Sequence, residues 1–334
     1  MNKQDIQALQ QVLATPKKIV LIPHRSPDGD AMGSTLGMYH FLIKNNHFPT
    51  VISPNEFPDF LAWMPGSETV LIYEKDKVNC TKILQEAELI FTLDFNALHR
   101  VGEMEQVLST LSVPFVMIDH HQSPDKYAAF TYSDVAFGST CEMVYHFISL
   151  LEKKSEIDKT IGTCIYTGIL TDSGSFRFPK TTGTTHRIVA ELIDLGVENT
   201  QIPNLLFDNS TIGSLQLLGR ALENMHFLKA NKTAYTTLSQ AELDQFDYTK
   251  GDTEGIVNYG LSIKGIDFSA IFIENKAENF IKISFRSQGD FDVNQFARDY
   301  FNGGGHRNAA GGKSELSLQE TVQKFETLAT KLNL

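Results

Sequence analysis

Three nearly continuous apolar runs, each breaking off into acidic or imidazole side chains, constrain what this chain can fold into more than any other feature. They are Lys18 to His24 (KIVLIPH), Leu89 to Phe95 (LIFTLDF) and Val113 to His121 (VPFVMIDHH). A short apolar run without polar alternation fits a strand covered on both faces, as in a parallel sheet. A further extended run, PTVISP at Pro49 to Pro54, lies among helical stretches at Ala31 to Asn46, at Cys80 to Glu88 and ahead of Val113. Strand and helix in alternation from Lys18 to about Asp172 predict an α/β fold with a doubly wound, mostly parallel sheet.

After Thr181 the pattern gives a helix, TTHRIVAELIDLG, that Gly196 can close, and then a polar stretch from Val197 to Gly213. The helical and extended patterns restart beyond it. A helix is expected over Leu215 to Leu228, strands over 233–239, 267–274 and 279–287, and a glycine-rich segment, FNGGGHRNAAGG, from Phe301. With 334 residues and 42% hydrophobic composition the chain can fill two cores. The expected organisation is a first domain over 1–190, a linker over 191–213 and a second, smaller α/β domain over 214–334.

A net charge of -11 argues against a protein that coats long nucleic acid, which needs many Lys and Arg to neutralise phosphates. No apolar run approaches the roughly 18 residues of a membrane-spanning helix, and MNKQDIQALQQVL is too polar for a signal peptide, so a cytoplasmic protein without a membrane partner is expected. Cys80, Cys141 and Cys164 lack CxxC spacing and read as buried free thiols.

The chemistry concentrates where the apolar runs end. His24, Asp28 and Asp30 lie in HRSPDGDA, where Pro27 and Gly29 favour a tight turn. Asp94 closes the second run, and Asp119, His120 and His121 close the third. Asp172, in ILTDSGSF, falls at the C-terminal end of a predicted helix, where the helix dipole disfavours a carboxylate. Any one of these alone is most simply a turn former or a packed histidine. Together they place ligand-type side chains at the carboxyl ends of three strands, the edge at which open α/β sheets bind ligands. Carboxylates about 4 Å apart repel by roughly 4 kcal/mol at an effective dielectric near 20, so Asp28, Asp30, Asp94 and Asp172 need cations, and two divalent ions balance four charges.

In order, HRSPDGDA, LDF, IDHH and TDSG resemble the four signature motifs of the DHH phosphoesterase superfamily. FRS at Phe285 to Ser287 and GGGHRNAAG at Gly303 to Gly311 resemble its DHHA1 domain. The likeness covers nearly the whole chain and is strongest to the stand-alone, two-domain oligoribonuclease and pAp phosphatase group. It implies that His24 and Asp28 hold one divalent ion, that Asp30, His120 and Asp172 hold a second, and that Asp94 bridges them. The implied ions are manganese, Asp119 orients ligands, and His121 donates a hydrogen bond to the scissile phosphate. Catalysis would then rest on Asp94, His120 and His121 with a water activated by the two ions. Arg286, Gly304, Gly305 and His306 become substrate contacts, and the family spacing lets Arg100 reach substrate as well. Arg307 and Lys313 read as unopposed positive charge around that glycine-rich segment, and the active site is expected in the cleft between the domains.

The expected substrates are short RNA oligonucleotides and pAp. A phosphodiesterase for linear or cyclic diadenylates is the first alternative, and a non-catalytic nucleotide-binding regulatory protein is an alternative of another class. A family II inorganic pyrophosphatase would lack Gly303 to His306, and a single-strand exonuclease of the RecJ type would carry added modules. Phe176 and Phe178 fit packing better than base stacking. A homodimer is compatible with the sequence.

Overall fold

The computed structural model describes residues 1–208, 210–249 and 251–332. Two compact units divide the chain, Met1–Asn209 and Ser210–Leu334.

The first unit runs α1 (Lys3–Val12), β1 (Lys18–Pro23), α2 (Gly29–Lys44), β2 (Phe48–Ser53), β3 (Leu71–Ile72), α3 (Lys77–Glu86) and β4 (Leu89–Leu93). It continues through α4 (Glu105–Leu108), β5 (Phe115–Asp119), β6 (Phe130–Ser133), α5 (Thr140–Leu150), α6 (Lys159–Asp172), α7 (Gly183–Asp194) and α8 (Gln201–Phe207). Among the described residues the sheet order is β3-β2-β1-β4-β5-β6, with every pairing parallel. The apolar runs are continuous because alternate side chains enter two different cores. Ile19, Leu21, Leu89, Phe91, Val116 and Ile118 meet α2, α5 and α6 on one face, whereas Val20, Ile22, Ile90 and Phe115 meet α3 and α4 on the other.

Helices α2 and α6 approach so closely that glycine is required at their crossing. A Cβ on Gly33 would stand 2.5 Å from the Cys164 carbonyl oxygen, and one on Gly168 would overlap Cys141 Sγ and lie 2.7 Å from Asp30 Oδ1. All three cysteines are buried free thiols. The polar stretch after Val197 contains a helix that the sequence pattern did not suggest, since Ile202 and Leu206 of α8, one turn apart, are buried in the first unit's core.

The second unit contains α9 (Ile212–Glu223), β7 (His226–Leu228), β8 (Thr233–Leu238), α10 (Gln240–Gln245), α11 (Asn258–Leu261), β9 (Phe268–Asn275), β10 (Phe280–Ser287), α12 (Val293–Tyr300), β11 (Gly304–His306), β12 (Ala309–Ser314) and α13 (Leu318–Ala329). Its mixed sheet has the order β11-β12-β10-β9-β8-β7, with only β8 and β9 parallel among these pairs. Phe268, Phe272, Phe285, Phe296, Phe301 and Phe325 fill one core, and α9, α10 and α11 cover the other face. The helix expected to reach Leu228 ends instead at Glu223. Asn224 caps it, donates from its side chain to the Thr237 carbonyl at 3.0 Å and to Glu242 Oε1 at 2.8 Å, and releases His226–Leu228 to pair with β8.

No helix among the described residues is long and apolar enough to cross a membrane.

Candidate metal centre

Chain order reverses between β1 and β4, the point at which an open parallel sheet leaves a crevice at its carboxyl edge. His24 follows β1, Asp94 follows β4, and Asp119 closes β5 with His120 and His121 directly after it. Asp28 and Asp30 start α2, and Asp172 is the last residue of α6.

Local chemistry shapes each approach. Asn55 Oδ1 accepts from the Ser26 amide at 2.6 Å, and the Arg25 amide donates to the Arg100 carbonyl at 2.8 Å, fixing the turn after β1. Asp28 caps α2 by accepting the Asp30 and Ala31 amides on Oδ1, each at 3.0 Å, while its Oδ2 lies 3.9 Å from His24 Nε2. One carboxylate therefore serves as helix cap with one oxygen and faces the cluster with the other. Asp94 sits at a φ of +65°, a left-handed conformation uncommon for a residue with a side chain.

Asp94 stands between two histidines. Its Oδ2 is 3.5 Å from His24 Nε2 and its Oδ1 is 3.6 Å from His120 Nε2. His120 Nε2 also lies 3.3 Å from Asp172 Oδ2 and 3.8 Å from Asp30 Oδ2, while its Nδ1 is 3.3 Å from the Phe137 carbonyl oxygen. Ligand atoms of His24, Asp28 and Asp94 lie within 4.8 Å of one another, as do those of Asp30, His120 and Asp172, and those of Asp94, Asp119 and His121. Asp119 grips His121 twice, accepting its amide on Oδ2 at 2.9 Å and lying 2.7 Å from its Nδ1 through Oδ1.

Burial and mutual repulsion shape the electrostatics of this cluster. Burial, then repulsion from Asp94, Asp172 and Asp28, holds Asp30 well above the usual carboxylate range. Burial, then Asp28, Asp172 and Asp119, does the same to Asp94. Burial also lifts Asp119 to about 6, and lowers His24, His120 (to about 4) and His121. For Asp28, burial is outweighed by His24 and the two capping amides, so its pKa is lowered. Neutral imidazoles beside crowded carboxylates fit a divalent metal ion, whose charge relieves the repulsion and whose bonds use the imidazole lone pairs. With the histidine pKa values lowered and those of Asp30 and Asp94 raised, these two carboxyls are the groups that would give up protons to an entering cation. Calorimetry in buffers of different ionisation enthalpy should show protons released as the clusters fill, with affinity rising as pH rises. Affinity independent of pH would contradict this charge assignment.

Three contributions escaped the sequence reading. The Thr140 hydroxyl donates to Asp94 Oδ1 at 2.8 Å, and the Thr140 and Cys141 amides donate to Asp30 Oδ2 and Oδ1 at 2.6 and 2.8 Å. Only the cap-like Ser139-x-x-Glu142 hinted that a helix starts there. Lys180 is exposed, yet within electrostatic range of Asp172, Asp119 and Asp134. Arg100, half-buried in the 3-10 segment Leu98–Met104, acts through its charge on His24, Asp119 and His121. Phe176 packs against Tyr166 and His186, and the Phe178 ring covers Gly174.

In the second unit Arg286, Ala309 and His306 are successive partners across β10, β12 and β11, so all three project from one sheet face. Phe285, the neighbour of Arg286, points into the phenylalanine core on the other face. The glycine run belongs to the hairpin of β11 and β12. There the Gly305 amide donates to Asn294 Oδ1 at 2.9 Å, and a Cβ on Gly303 would overlap the Gly311 carbonyl. Gly304 pairs with Gly311 in the same hairpin. Contrary to the expectation from sequence, Arg307 is opposed. Its Nη2 lies 3.2 Å from Asp290 Oδ1, a partner 17 residues away that the β10–α12 turn brings alongside.

A parallel sheet with His and Asp clustered at its switch point, followed by a mixed-sheet unit carrying the GGGH hairpin, defines a DHH-type protein. The chain belongs to the DHH family: residues 18–169 match the DHH family N-terminal domain and residues 231–332 match the DHHA1 domain. It is 32% identical over 312 residues to the bifunctional oligoribonuclease and PAP phosphatase NrnA of Thermus thermophilus, covering 92% of this chain and 87% of that protein. Against the Bacillus subtilis protein of the same name, identity is 28% over 88% of each chain. A crystal structure of an exopolyphosphatase-related protein from Bacteroides fragilis superposes with a TM-score of 0.94 at 39% identity, covering 99% of this chain and 96% of that one.

Proposed function

We propose that the chain is a phosphoesterase that hydrolyses short oligoribonucleotides to mononucleotides and removes the 3′-phosphate of pAp, using two manganese ions. The observation that carries the reading is Asp94, whose two oxygens face two different histidine groups. The names of the relatives from Thermus thermophilus and Bacillus subtilis support the substrate class. In this reading His24 and Asp28 hold one ion, Asp30, His120 and Asp172 the other, and Asp94 serves both. Bound there, such ions supply Lewis acidity toward phosphate oxygens and lower the pKa of water.

The chain's own groups do the rest. Asp119 holds His121 through Nδ1, which directs Nε2 toward the substrate. Donation from Nε2 to a phosphate oxygen needs a proton on that nitrogen, which burial opposes and the charge of Asp28 favours. Arg286 and His306, on one sheet face, are assigned to substrate phosphate and sugar, with the backbone of Gly304 and Gly305 beside them. Arg100 adds positive charge close to His121. A net charge of -11 favours substrates carrying few phosphates over long strands.

The test is a comparison of initial rates with manganese on RNAs of two to five nucleotides, a long RNA, pAp, linear and cyclic diadenylates, and pyrophosphate, each with an EDTA control. Metal-dependent release of mononucleotides from short RNA, with pAp turned over and long RNA spared, is the expected outcome. A preference for diadenylates would replace the substrate assignment, and no hydrolysis of any substrate would refute the catalytic one.

A further inference from the structure

We infer that Thr140 is a positioning residue that fixes the rotation of the Asp94 carboxylate, so that its two oxygens are offered to two different ligand groups; this rests on the metal-centre reading above. Thr140 is fully buried at the start of α5, and its hydroxyl reaches Asp94 Oδ1 at 2.8 Å. That is the oxygen 3.6 Å from His120 Nε2, leaving Oδ2 directed at His24. Asp94 lies just beyond the end of β4 with a left-handed backbone; its amide still donates to the Ile118 carbonyl of β5 at 3.0 Å, which leaves the rotation of the carboxylate to its side-chain partners. The same residue seats Asp30, but through its backbone amide, with the Cys141 amide holding the other Asp30 oxygen.

Helix α5 is itself anchored. Ser139 caps it by accepting the Glu142 amide at 3.1 Å, and Glu142 Oε2 accepts from Thr185 Oγ1 of α7 at 3.0 Å. Thr140 thus ties two carboxylates of the cluster, Asp30 and Asp94, to one helix end. The two ties are separable, because substituting the side chain removes the clamp on Asp94 and leaves the amides on Asp30 in place. Val has nearly the shape of Thr without the hydroxyl, and Ser keeps the hydroxyl without the methyl.

The experiment is calorimetric titration of the metal-free full chain with manganese, for wild type, Thr140→Val and Thr140→Ser, alongside melting temperatures of the metal-free proteins. A residue that orients a metal ligand is worth about 10–100-fold in affinity. Thr140→Val should lose that much while Thr140→Ser stays within about 3-fold of wild type, on the same scale. Unchanged affinity in Thr140→Val overturns the clamp. Equal losses in both variants, together with lowered melting temperatures, also overturn it, by tracing the effect to packing. If the valine variant does not fold, Thr140→Cys, a weaker donor of similar size, takes its place with the same expected loss. Wild type that binds no manganese refutes the metal-centre reading itself, an outcome distinct from the failure of the clamp alone.

Discussion

Asp94→Asn is expected to reduce turnover of short RNA and pAp by at least ~1,000-fold while raising the melting temperature of the metal-free protein. The loss follows from neutralising the one carboxylate placed between both histidine groups, where bound cations would supply several kcal/mol of transition-state stabilisation at about 1.4 kcal/mol per tenfold. The gain follows from removing a buried like charge. Asp94 has a folded pKa above its unfolded value, so its contribution to stability is present at low pH and lost as pH rises through the folded pKa. The advantage of Asn should therefore be greater near pH 8 than near pH 5. Asn is also a better choice than Ala, because it tolerates the left-handed backbone and can still accept from Thr140. Manganese should reverse the order by stabilising wild type alone. Thermal melts with and without the ion, run beside the rate assay, check both halves. A variant that is fully active, or less stable than wild type without metal, would contradict the assignment.

Gly168→Ala should damage fold and site together. The new methyl would meet Cys141 Sγ and Asp30 Oδ1, so α6 must retreat from α2 and α5 or Asp30 must turn. Overpacking of this kind costs about 1–3 kcal/mol, against about 1 kcal/mol gained from helix propensity. A net loss of a few degrees in melting temperature is expected, at about 2–4 °C per kcal/mol for a unit of this size. Displacing Asp30 by even about 1 Å should lower the rate ~100-fold. Gly219→Ala is the control: apart from the backbone of α9 itself, no atom of the described residues lies within 4 Å of that Cβ position, so it should stabilise slightly and leave the rate unchanged. Wild-type behaviour of Gly168→Ala would show that the helix crossing yields at little cost.

What could be seen in the chain beforehand was whatever the apolar pattern itself marks. Runs buried on both faces end abruptly where the sheet edge begins, so His24, Asp94 and Asp119 announced themselves, and the structure brings them together with Asp28, Asp30, His120 and Asp172. Thr140 did not, because a threonine at a helix start is an ordinary residue until two carboxylates more than forty positions away fold against it. The same limit hid Asp290 beside Arg307. β7 was lost for a different reason: His226–Leu228 continues a helical apolar pattern, and only Asn224, bound to Thr237 and Glu242, stops it. In α8 the buried pair Ile202 and Leu206 was masked by polar neighbours.

The cluster draws on residues from His24 to Asp172, nearly the full span of the first unit's sheet and of the helices that cover its inner face. A chain emerging from the ribosome therefore holds His24 through Asp94 exposed and incomplete until α6 has been synthesised and has closed against α2. The group of Asp30, His120 and Asp172 cannot assemble before that point, whereas His24, Asp28 and Asp94 all lie earlier in the chain. Fragments ending before Asp172 should therefore lack the gain in stability that a divalent ion at the Asp30, His120 and Asp172 group would give the full chain.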